Sequence, residues 1–345
     1  MKILVPRYYK NFKCSADRCS DNCCIGWEIC IDDATMEGYM SLEADKRKKI
    51  LDTVDFDGGA TFRLTSCERC ANLDHRGLCK IISGLGEDYL CQICRDHPRY
   101  FNQTADGIEG GVGLACEEAA RLILTSNNVT AMEIVNYADV TSRYVCEEAL
   151  SLDVRGHIFA YLDGMNMCGE GAKVTINRLL KISALLDDTL LDNAFGDKNE
   201  GIDPSRILAT EWNVECDPGI IVDLCDAFDD AEALQEDFHT KRKSAGEALL
   251  DREFYSFLDG EGRRYFSNLL SYFIHRYFLT DEASHLQSMG FAIASAVLIS
   301  AMVYVSGSLT VENFILEAKG FSKNIEYSEE NVEKALEHMV EIPDF

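Results

Sequence analysis

Basic residues are scarce in this sequence. The chain has 345 residues, with 33 Lys and Arg against 59 Asp and Glu, and its formal net charge is −26. Nucleic-acid binding requires clustered positive charge that neutralises phosphates, so this composition argues against a nucleic-acid partner. It also disfavours binding to an anionic membrane surface. The acidic surface favours solubility and would attract a cationic partner.

Proline and export signals are also lacking. Only five prolines occur, and the abundance of Ala, Leu and Glu predicts a mainly α-helical protein. The apolar run at the N-terminus, in MKILVPRYYK, is too short for a signal peptide. Residues 289–306 carry no charge, but no Trp, Lys or Arg flanks them, which predicts a buried helix. We therefore expect a cytoplasmic protein that binds no membrane, in a compartment that keeps thiols reduced.

No glycine-rich phosphate-binding motif is present. The glycines of DGIEGGVGLAC do not follow a strand with G-x-G-x-x-G spacing, so they predict a turn or hairpin. The alternation in TFRLTSCERC predicts a strand. A helix is predicted to follow Cys116, with Glu117 and Glu118 at its positive end.

The second part of the chain is predicted to be helical. INRLLKISALLDDTLL has apolar residues on one helical face, and YFSNLLSYFIHRYFL has the spacing of an amphipathic helix. Thr310 and Ser328 are predicted N-caps, and Gly320 is a predicted C-cap residue. The acidic segment 192–262 is predicted to contain loops that join short helices.

The cysteines are concentrated near the N-terminus. Eleven of the fifteen lie in residues 1–116, and the others, Cys146, Cys168, Cys216 and Cys225, are widely spaced and predicted to be buried. An odd number of cysteines without an export signal disfavours disulfides and favours metal binding. One candidate is the pattern C-x2-C-x20-C-x2-C, which has the spacing of a zinc ribbon. This pattern consists of Cys67, Cys70, Cys91 and Cys94.

A longer cysteine pattern resembles a known family. The segments that carry it are YYKNFKCSADRCSDNCCIGWEICID, CANL, RGLCKI, GEDYLCQICRDHPRYF, EGGVGLACEEAARLIL and GFSKNIEYSEENVEKAL. They are similar to the flagellin lysine-N-methylase (FliB) family, whose N-terminal part is related to small zinc- or iron-chelating proteins. Three residues depart from the family pattern: Glu117 replaces Pro, Lys323 replaces Arg, and Tyr327 replaces His.

The resemblance implies a metal site with up to eight cysteine ligands. It omits Cys30, Cys67 and Cys91, and so it competes with the zinc ribbon. The implied cofactor is an iron–sulfur cluster of the [4Fe–4S] type, with zinc as the alternative, because thiolates bind both metals. If only four thiolates bind, we expect Cys14, Cys19, Cys23 and Cys94. The full implied set is Cys14, Cys19, Cys23, Cys24, Cys70, Cys79, Cys94 and Cys116.

Other side chains near the cysteines are predicted to support the site. His75 and His97 are further candidate ligands, although His97 is expected to cap or hydrogen-bond the loop. Trp27 is expected to cover the adjacent cysteines, and Arg99 to form a hydrogen bond or a salt bridge. His275, beside an apolar stripe, is expected to be structural.

The resemblance implies a lysine N-methyltransferase with S-adenosylmethionine as methyl donor. Its partner would be a protein with exposed lysines, such as flagellin. The sequence contains no glycine-rich S-adenosylmethionine motif and identifies neither a catalytic base nor a cofactor-binding residue. One alternative is a non-catalytic zinc- or iron-binding protein in which the metal is structural, and another is a redox iron–sulfur protein. We predict a cysteine-rich metal module of short strands and loops at 1–126, packed on a helical domain at 127–345.

Overall fold

The computed structural model describes residues 1–137, 145–146, 148–168, 171–195, 203–204, 208, 214–235 and 237–339. In these residues the fold is mainly α-helical, as predicted, with two small β-sheets. The helices are α1 Asp33–Met40, α2 Ala44–Leu51, α3 Lys80–Leu85, α4 Gln92–Asp96, α5 Glu117–Thr125, α6 Ala149–Cys168, α7 Ala172–Phe195, α8 Pro218–Asp226, α9 Phe238–Ala248, α10 Arg252–Asp259, α11 Arg263–Tyr277, α12 His285–Val305, α13 Val311–Asn324 and α14 Glu329–His338. Short 3-10 helices span Arg7–Asn11, Ala16–Arg18 and Glu87–Tyr89.

The strands form one mixed sheet and one small antiparallel sheet. They are β1 Lys2–Pro6, β2 Ile29–Cys30, β3 Val54–Asp55, β4 Thr61–Phe62, β5 Arg99–Thr104, β6 Gly107–Val112, β7 Met132–Asn136 and β8 Val145–Cys146. The mixed sheet has the order β7-β1-β6-β5-β8, and the small sheet has the order β2-β4-β3. Strands β5 and β6 form an antiparallel hairpin, which confirms the prediction from the glycine-rich segment. The strand predicted in TFRLTSCERC is confirmed only at its start, because β4 ends at Phe62 and Leu64 forms an isolated bridge with Cys70.

Two of the three predicted helix caps are confirmed, and the third is wrong. The Thr310 hydroxyl accepts a hydrogen bond from the Asn313 amide, and the Ser328 hydroxyl accepts one from the Asn331 amide, which confirms both N-caps. The predicted C-cap at Gly320 is wrong, because α13 continues to Asn324. A Cβ atom at Gly320 would lie 3.2 Å from Oε1 of Gln235, so this glycine permits close packing inside the helix.

Helix α12 contains the long uncharged stretch of the sequence. By length and composition it could cross a membrane, but 89% of its apolar window is buried inside the protein. Its residues 288–303 are all buried, which confirms the predicted buried helix. The cytoplasmic location remains a prediction.

Helix α11 is buried on all sides between residues 266 and 277, so the predicted amphipathic pattern is wrong. Its polar side chains have partners from distant segments. The Asn268 amide donates to the carbonyls of Ile123 and Leu124 at 3.0 and 3.1 Å. Because these contacts satisfy the Asn268 amide, this polar side chain can be buried without contact to solvent.

Two hydrophobic cores organise the described chain. The larger core combines β1, the β5–β6 hairpin and α5 with the helices that follow them. The smaller core contains residues between 24 and 94. The first and last parts of the predicted module therefore pack with the helices, and its boundary at residue 126 remains a prediction. Cys146, Cys216 and Cys225 are buried as predicted, and the side chain of Cys168 lies outside the description.

A buried polar chain connects the hairpin to α6 and α11. The Arg155 guanidinium donates to Glu109 Oε1 at 2.6 Å, and Glu109 Oε2 lies 3.7 Å from His275 Nε2. Nδ1 of His275 lies 2.8 Å from the Tyr100 hydroxyl. His275 is thus a buried structural histidine, as predicted, and burial lowers its pKa to about 4. It is neutral at pH 7.

The buried neutral His275 predicts acid-sensitive stability. The unfolded chain binds a proton near pH 6.5, whereas the folded pKa is about 4, so stability is complete above pH 6.5 and is lost as the pH falls toward 4. One pKa unit corresponds to about 1.4 kcal/mol, so the loss is on the order of 1–3 kcal/mol. Urea unfolding at pH 7, 6 and 5 should show a weaker pH dependence for His275→Gln than for the wild type.

The matched control is His239→Gln, because His239 is exposed. This variant should keep the wild-type pH dependence. Glu109 acts in the same direction at lower pH: burial raises its pKa, but Arg155 outweighs burial and lowers the pKa below the ordinary 4.5. The interval from pH 6.5 to 5 therefore reports mainly on buried histidines. An unchanged slope for His275→Gln would contradict the assignment.

Candidate functional site

The eight predicted ligands divide into two neighbouring groups and one separate residue. Four of them pack together in the smaller hydrophobic core with Cys91, which the resemblance omits. We call this group the thiol core: Cys24, Cys70, Cys79, Cys91 and Cys94. Three others lie between the N-terminal loop and helices α5 and α13, and we call them the interface thiols: Cys19, Cys23 and Cys116.

Three chain segments build the thiol core. The Cys70 amide donates to the Cys24 carbonyl at 2.9 Å, which joins the first segment to the second. Cys79 forms an antiparallel bridge with Leu73 and directly precedes α3. Cys91 directly precedes α4, so Cys94 follows one helical turn later, and the two Sγ atoms lie 3.2 Å apart.

The cysteines of the thiol core change one another's pKa values. The hydrogen bond between Cys91 and Cys94 lowers the pKa of Cys91 and raises that of Cys94, and burial and neighbouring thiols raise the Cys94 pKa further. Burial raises the pKa of Cys70, and the charges of Cys79 and Cys91 act in the same direction. The cause of these shifts is the packing, because the thiols lie close together in the smaller core, where solvation is poor.

The interface thiols and the thiol core meet at Cys23 and Cys24, which are consecutive in the sequence. The Sγ atoms of Cys23 and Cys24 are 4.0 Å apart. Their hydrogen bond is the main cause that lowers the pKa of Cys23, to about 7, and the positive charge of Lys323 contributes. Cys116 is the N-cap residue of α5, and burial raises the pKa of its thiol to about 11.

Ion pairs attach the cysteine-bearing loop to α13. The Asp21 carboxylate lies 2.5 Å from the Lys323 amine and 3.4 Å from the Lys319 amine. Lys319 is 6% exposed and also lies 4.0 Å from Glu117, whose carboxylate accepts a hydrogen bond from the Ser20 amide at 3.1 Å. Two of the residues that depart from the family pattern, Lys323 and Glu117, thus hold this loop.

Three aromatic rings lie beside the ion pairs. Trp27 stacks on Tyr327 with ring centroids 5.6 Å apart, and its indole N–H donates to the Cys23 carbonyl at 2.6 Å. The Tyr327 hydroxyl lies 2.9 Å from Nδ1 of His97. The His97 ring thus hydrogen-bonds the C-terminal segment, while its backbone amide donates to the Ile93 carbonyl at 3.0 Å and caps α4, as predicted. Burial lowers its pKa to about 4, so it is a weak base at neutral pH.

Several other predicted residues lie apart from both groups. Cys14 is exposed, and its Sγ accepts a hydrogen bond from the Ala16 amide at 3.4 Å. Cys30 and Cys67 are exposed thiols, and His75 is exposed as well. Arg99 lies over the rings of Tyr9, Phe12 and Tyr137. The role of Cys14 as a ligand remains a prediction.

The thiol groups differ from a site for one metal ion. Across the described part of the chain, no three His, Cys, Asp or Glu side chains are arranged to hold a single ion. The thiolates of an iron–sulfur cluster bind different iron atoms and so lie farther apart than the ligands of one zinc ion. Several thiols within one core have the donor chemistry that such a cluster needs. The family resemblance omits Cys91, and the C-x2-C spacing of Cys91 and Cys94 is the sequence signal that indicates its place beside the other thiols.

Comparisons with known proteins agree with the family resemblance in part. The flagellar biosynthetic protein FliU of Salmonella muenchen is 28% identical over 137 residues, which cover 38% of this chain and 81% of FliU. Lysine-N-methylases of Salmonella choleraesuis and Salmonella typhimurium are each 26% identical over 137 residues. This similarity spans only 34% of either methylase. No family model and no solved structure matches the chain.

Proposed function

We propose that the chain is a protein-lysine N-methyltransferase that uses S-adenosylmethionine and carries an iron–sulfur cluster of the [4Fe–4S] type. The similarity to two lysine-N-methylases carries this proposal. The similarity to a flagellar biosynthetic protein favours flagellin, or a related surface protein with exposed lysines, as the substrate. The convergence of cysteines in the thiol core supports the metal part of the proposal.

Lysine methylation requires an ammonium group to be bound and then deprotonated. Bound S-adenosylmethionine supplies the electrophilic methyl group. Asp21 and Glu117 already hold the ammonium groups of Lys319 and Lys323. Burial raises the pKa of Asp21, but the hydrogen bonds from Lys323 and the Asn22 amide, together with the positive charges of Lys323 and Lys319, outweigh burial and lower the pKa. Because these carboxylates already have lysine partners, attraction of a substrate lysine would come from the overall net charge of −26.

The residues proposed to hold the cluster belong to segments that are distant in the sequence. The thiol core joins residues near 24, 70–79 and 91–94, and Cys116 of the interface thiols lies at the start of α5. A bound cluster would cross-link these segments, because each thiolate is fixed to the same inorganic core. Trp27 packs against the smaller core together with Cys24, whereas Cys23 stays exposed, so the predicted cover does not extend to Cys23.

The decisive experiment combines metal analysis with a methylation assay. The protein is purified anaerobically, and its iron, sulfide and zinc contents are measured. It is then incubated with methyl-labelled S-adenosylmethionine and flagellin. We expect about four iron and four sulfide per chain and methyl mass increments on flagellin lysines. Controls omit S-adenosylmethionine or use flagellin whose lysines have been dimethylated chemically.

A metal-loaded protein that leaves no label on flagellin would overturn the methyltransferase proposal. The better conclusion would then be a metal-binding protein without catalytic activity, in which the metal stabilises the fold. The position of the thiol core inside a hydrophobic core favours this second candidate. Chelation should then unfold the smaller core, which circular dichroism would detect.

A further inference from the structure

A half-open cleft lies between α1, the 3-10 helix Glu87–Tyr89 and α4, and the proposed function leaves it without a role. Its volume is about 400 Å³, which is within the range of small-molecule binding sites. Both polar and apolar atoms contribute to its wall, as in most such sites. The residues that form the wall include Asp32, Gly38, Asp88, Tyr89, Gln92 and Arg95.

Asp32 is held rigidly at the edge of the cleft. Its carboxylate accepts hydrogen bonds from the backbone amides of Thr35 and Gln92 at 2.9 and 2.7 Å. The Thr35 hydroxyl donates a third hydrogen bond at 2.9 Å. A carboxylate has about four lone-pair sites, so most of the acceptor capacity of Asp32 is used within the protein. Its negative charge still acts on a ligand in the cleft.

Asp88 and Arg95 add exposed side chains of opposite charge to the wall. The Arg95 guanidinium donates to the Leu90 carbonyl at 3.2 Å, and a guanidinium has five N–H donors, so it can bind a ligand as well. Tyr89 is a partly buried aromatic residue of the same wall. At Gly38 an added Cβ would meet nothing within 4 Å, so the absence of a side chain leaves this part of the cleft open.

We infer that this cleft binds S-adenosylmethionine, with its carboxylate at Arg95, its ammonium at Asp88 and its sulfonium beside Asp32. This inference rests on the proposed function and assigns the methyl donor to residues of this chain. S-adenosylmethionine carries two positive charges and one negative charge, and the three side chains have the complementary charges. An ammonium has three N–H donors, which suit the solvent-facing oxygens of Asp88. A sulfonium has no N–H donor and requires only a nearby negative charge, which Asp32 provides.

Equilibrium binding tests this site without a methylation assay. The dissociation constant of S-adenosylmethionine is measured by titration calorimetry for the anaerobically purified wild type, Asp88→Asn and Arg95→Gln. We expect each variant to bind about tenfold more weakly, because a hydrogen-bonded charge pair is lost. Glu87→Gln is the matched control and should bind as the wild type does, because Glu87 is exposed on the same 3-10 helix. Wild-type affinity in both Asp88→Asn and Arg95→Gln would overturn the inference.

A steric variant tests the volume of the cleft. Gly38→Leu adds a side chain to the open part of the wall and should weaken binding of S-adenosylmethionine by about tenfold or more. The variant should fold, because leucine forms helices better than glycine, and circular dichroism would verify this. Gly84→Leu is the control, since Gly84 is exposed and an added Cβ there also meets nothing within 4 Å. Equal affinities of Gly38→Leu and the wild type would contradict the site.

A further measurement uses the unaltered protein, in case a variant does not fold. The wild type is irradiated with ultraviolet light in the presence of methyl-labelled S-adenosylmethionine, and the labelled peptides are identified by mass spectrometry. We expect label within residues 32–38 or 88–95, and an excess of unlabelled S-adenosylmethionine should prevent it. Label confined to another segment would overturn the inference and leave the proposed function standing. A wild type that binds no S-adenosylmethionine would reject both. Weaker binding by the cleft variants, combined with no methylation of flagellin by the wild type, would reject the proposed activity and leave this site standing.

Discussion

Replacement of Glu326 by alanine is expected to lower the free energy of unfolding by about 3–5 kcal/mol. Glu326 is 1% exposed, and its Oε1 accepts hydrogen bonds from the hydroxyls of Tyr272 and Tyr277 at 2.8 and 3.0 Å. The same oxygen lies 3.1 Å from the Arg276 guanidinium. The variant would leave Arg276 charged and buried without its carboxylate partner. Urea unfolding at pH 7, followed by circular dichroism, measures the loss.

Glu330→Ala is the matched control for Glu326→Ala. Glu330 lies on the next helix and pairs with Lys334, but both side chains are largely exposed, so little change is expected. The double variant Arg276→Met, Glu326→Leu should be less destabilised than Glu326→Ala, because no unpaired charge remains buried. A loss below about 0.5 kcal/mol for Glu326→Ala, within the range of ordinary surface substitutions, would contradict this role.

The sequence predicted the elements that depend on nearby residues. The caps at Thr310 and Ser328 were predictable because each cap contacts an amide three residues away. The burial of α12 was predictable from its composition. The burial of α11 was not, because its polar residues are satisfied by groups more than 40 residues away in sequence, such as Glu326 for Arg276 and Ile123 for Asn268.

Prediction of the candidate site from sequence has the same limit, because contacts between distant segments do not follow from local spacing. Eleven of the fifteen cysteines lie in the first 116 residues, but their spacing does not determine which of them come together. Cys67 and Cys91 belong to the same zinc-ribbon pattern, yet one is exposed and the other is buried. The ion pairs of Asp21 with Lys319 and Lys323 join positions about 300 residues apart. No local sequence pattern predicts such contacts, because they form only when α13 packs on the N-terminal loop.

Gly111→Ala is expected to destabilise the protein by about 1–3 kcal/mol through overpacking. Gly111 pairs with Tyr100 across the hairpin, and an added Cβ would lie 2.5 Å from Cζ of the Tyr100 ring and overlap its hydroxyl. The ring cannot move freely, because its hydroxyl contacts His275 and the Arg276 guanidinium lies 4.7 Å from its centroid. Thermal and urea unfolding would measure the loss.

Gly156→Ala provides the opposite expectation. Gly156 is exposed within α6, and nothing lies within 4 Å of an added Cβ, so this variant should gain about 1 kcal/mol from helix propensity. If Gly111→Ala were as stable as the wild type, close packing would not explain the glycine. Gly111→Ala combined with Tyr100→Ala should lose less than the sum of the single losses, because the two residues share one contact.

The glycines of the β5–β6 segment are required for two different physical reasons. Gly107 has a positive φ of 127° at the hairpin turn. At Gly110, Gly111 and Gly113, by contrast, a side chain would collide with neighbouring residues. A Cβ atom would lie 2.8 Å from the Phe101 ring at Gly110, and 3.0 Å from the Arg276 guanidinium at Gly113. These glycines therefore allow the side chains of Phe101, Tyr100 and Arg276 to pack directly against the hairpin backbone. Because Arg276 also binds Glu326, these glycines allow the hairpin to approach the buried charges of the helical core.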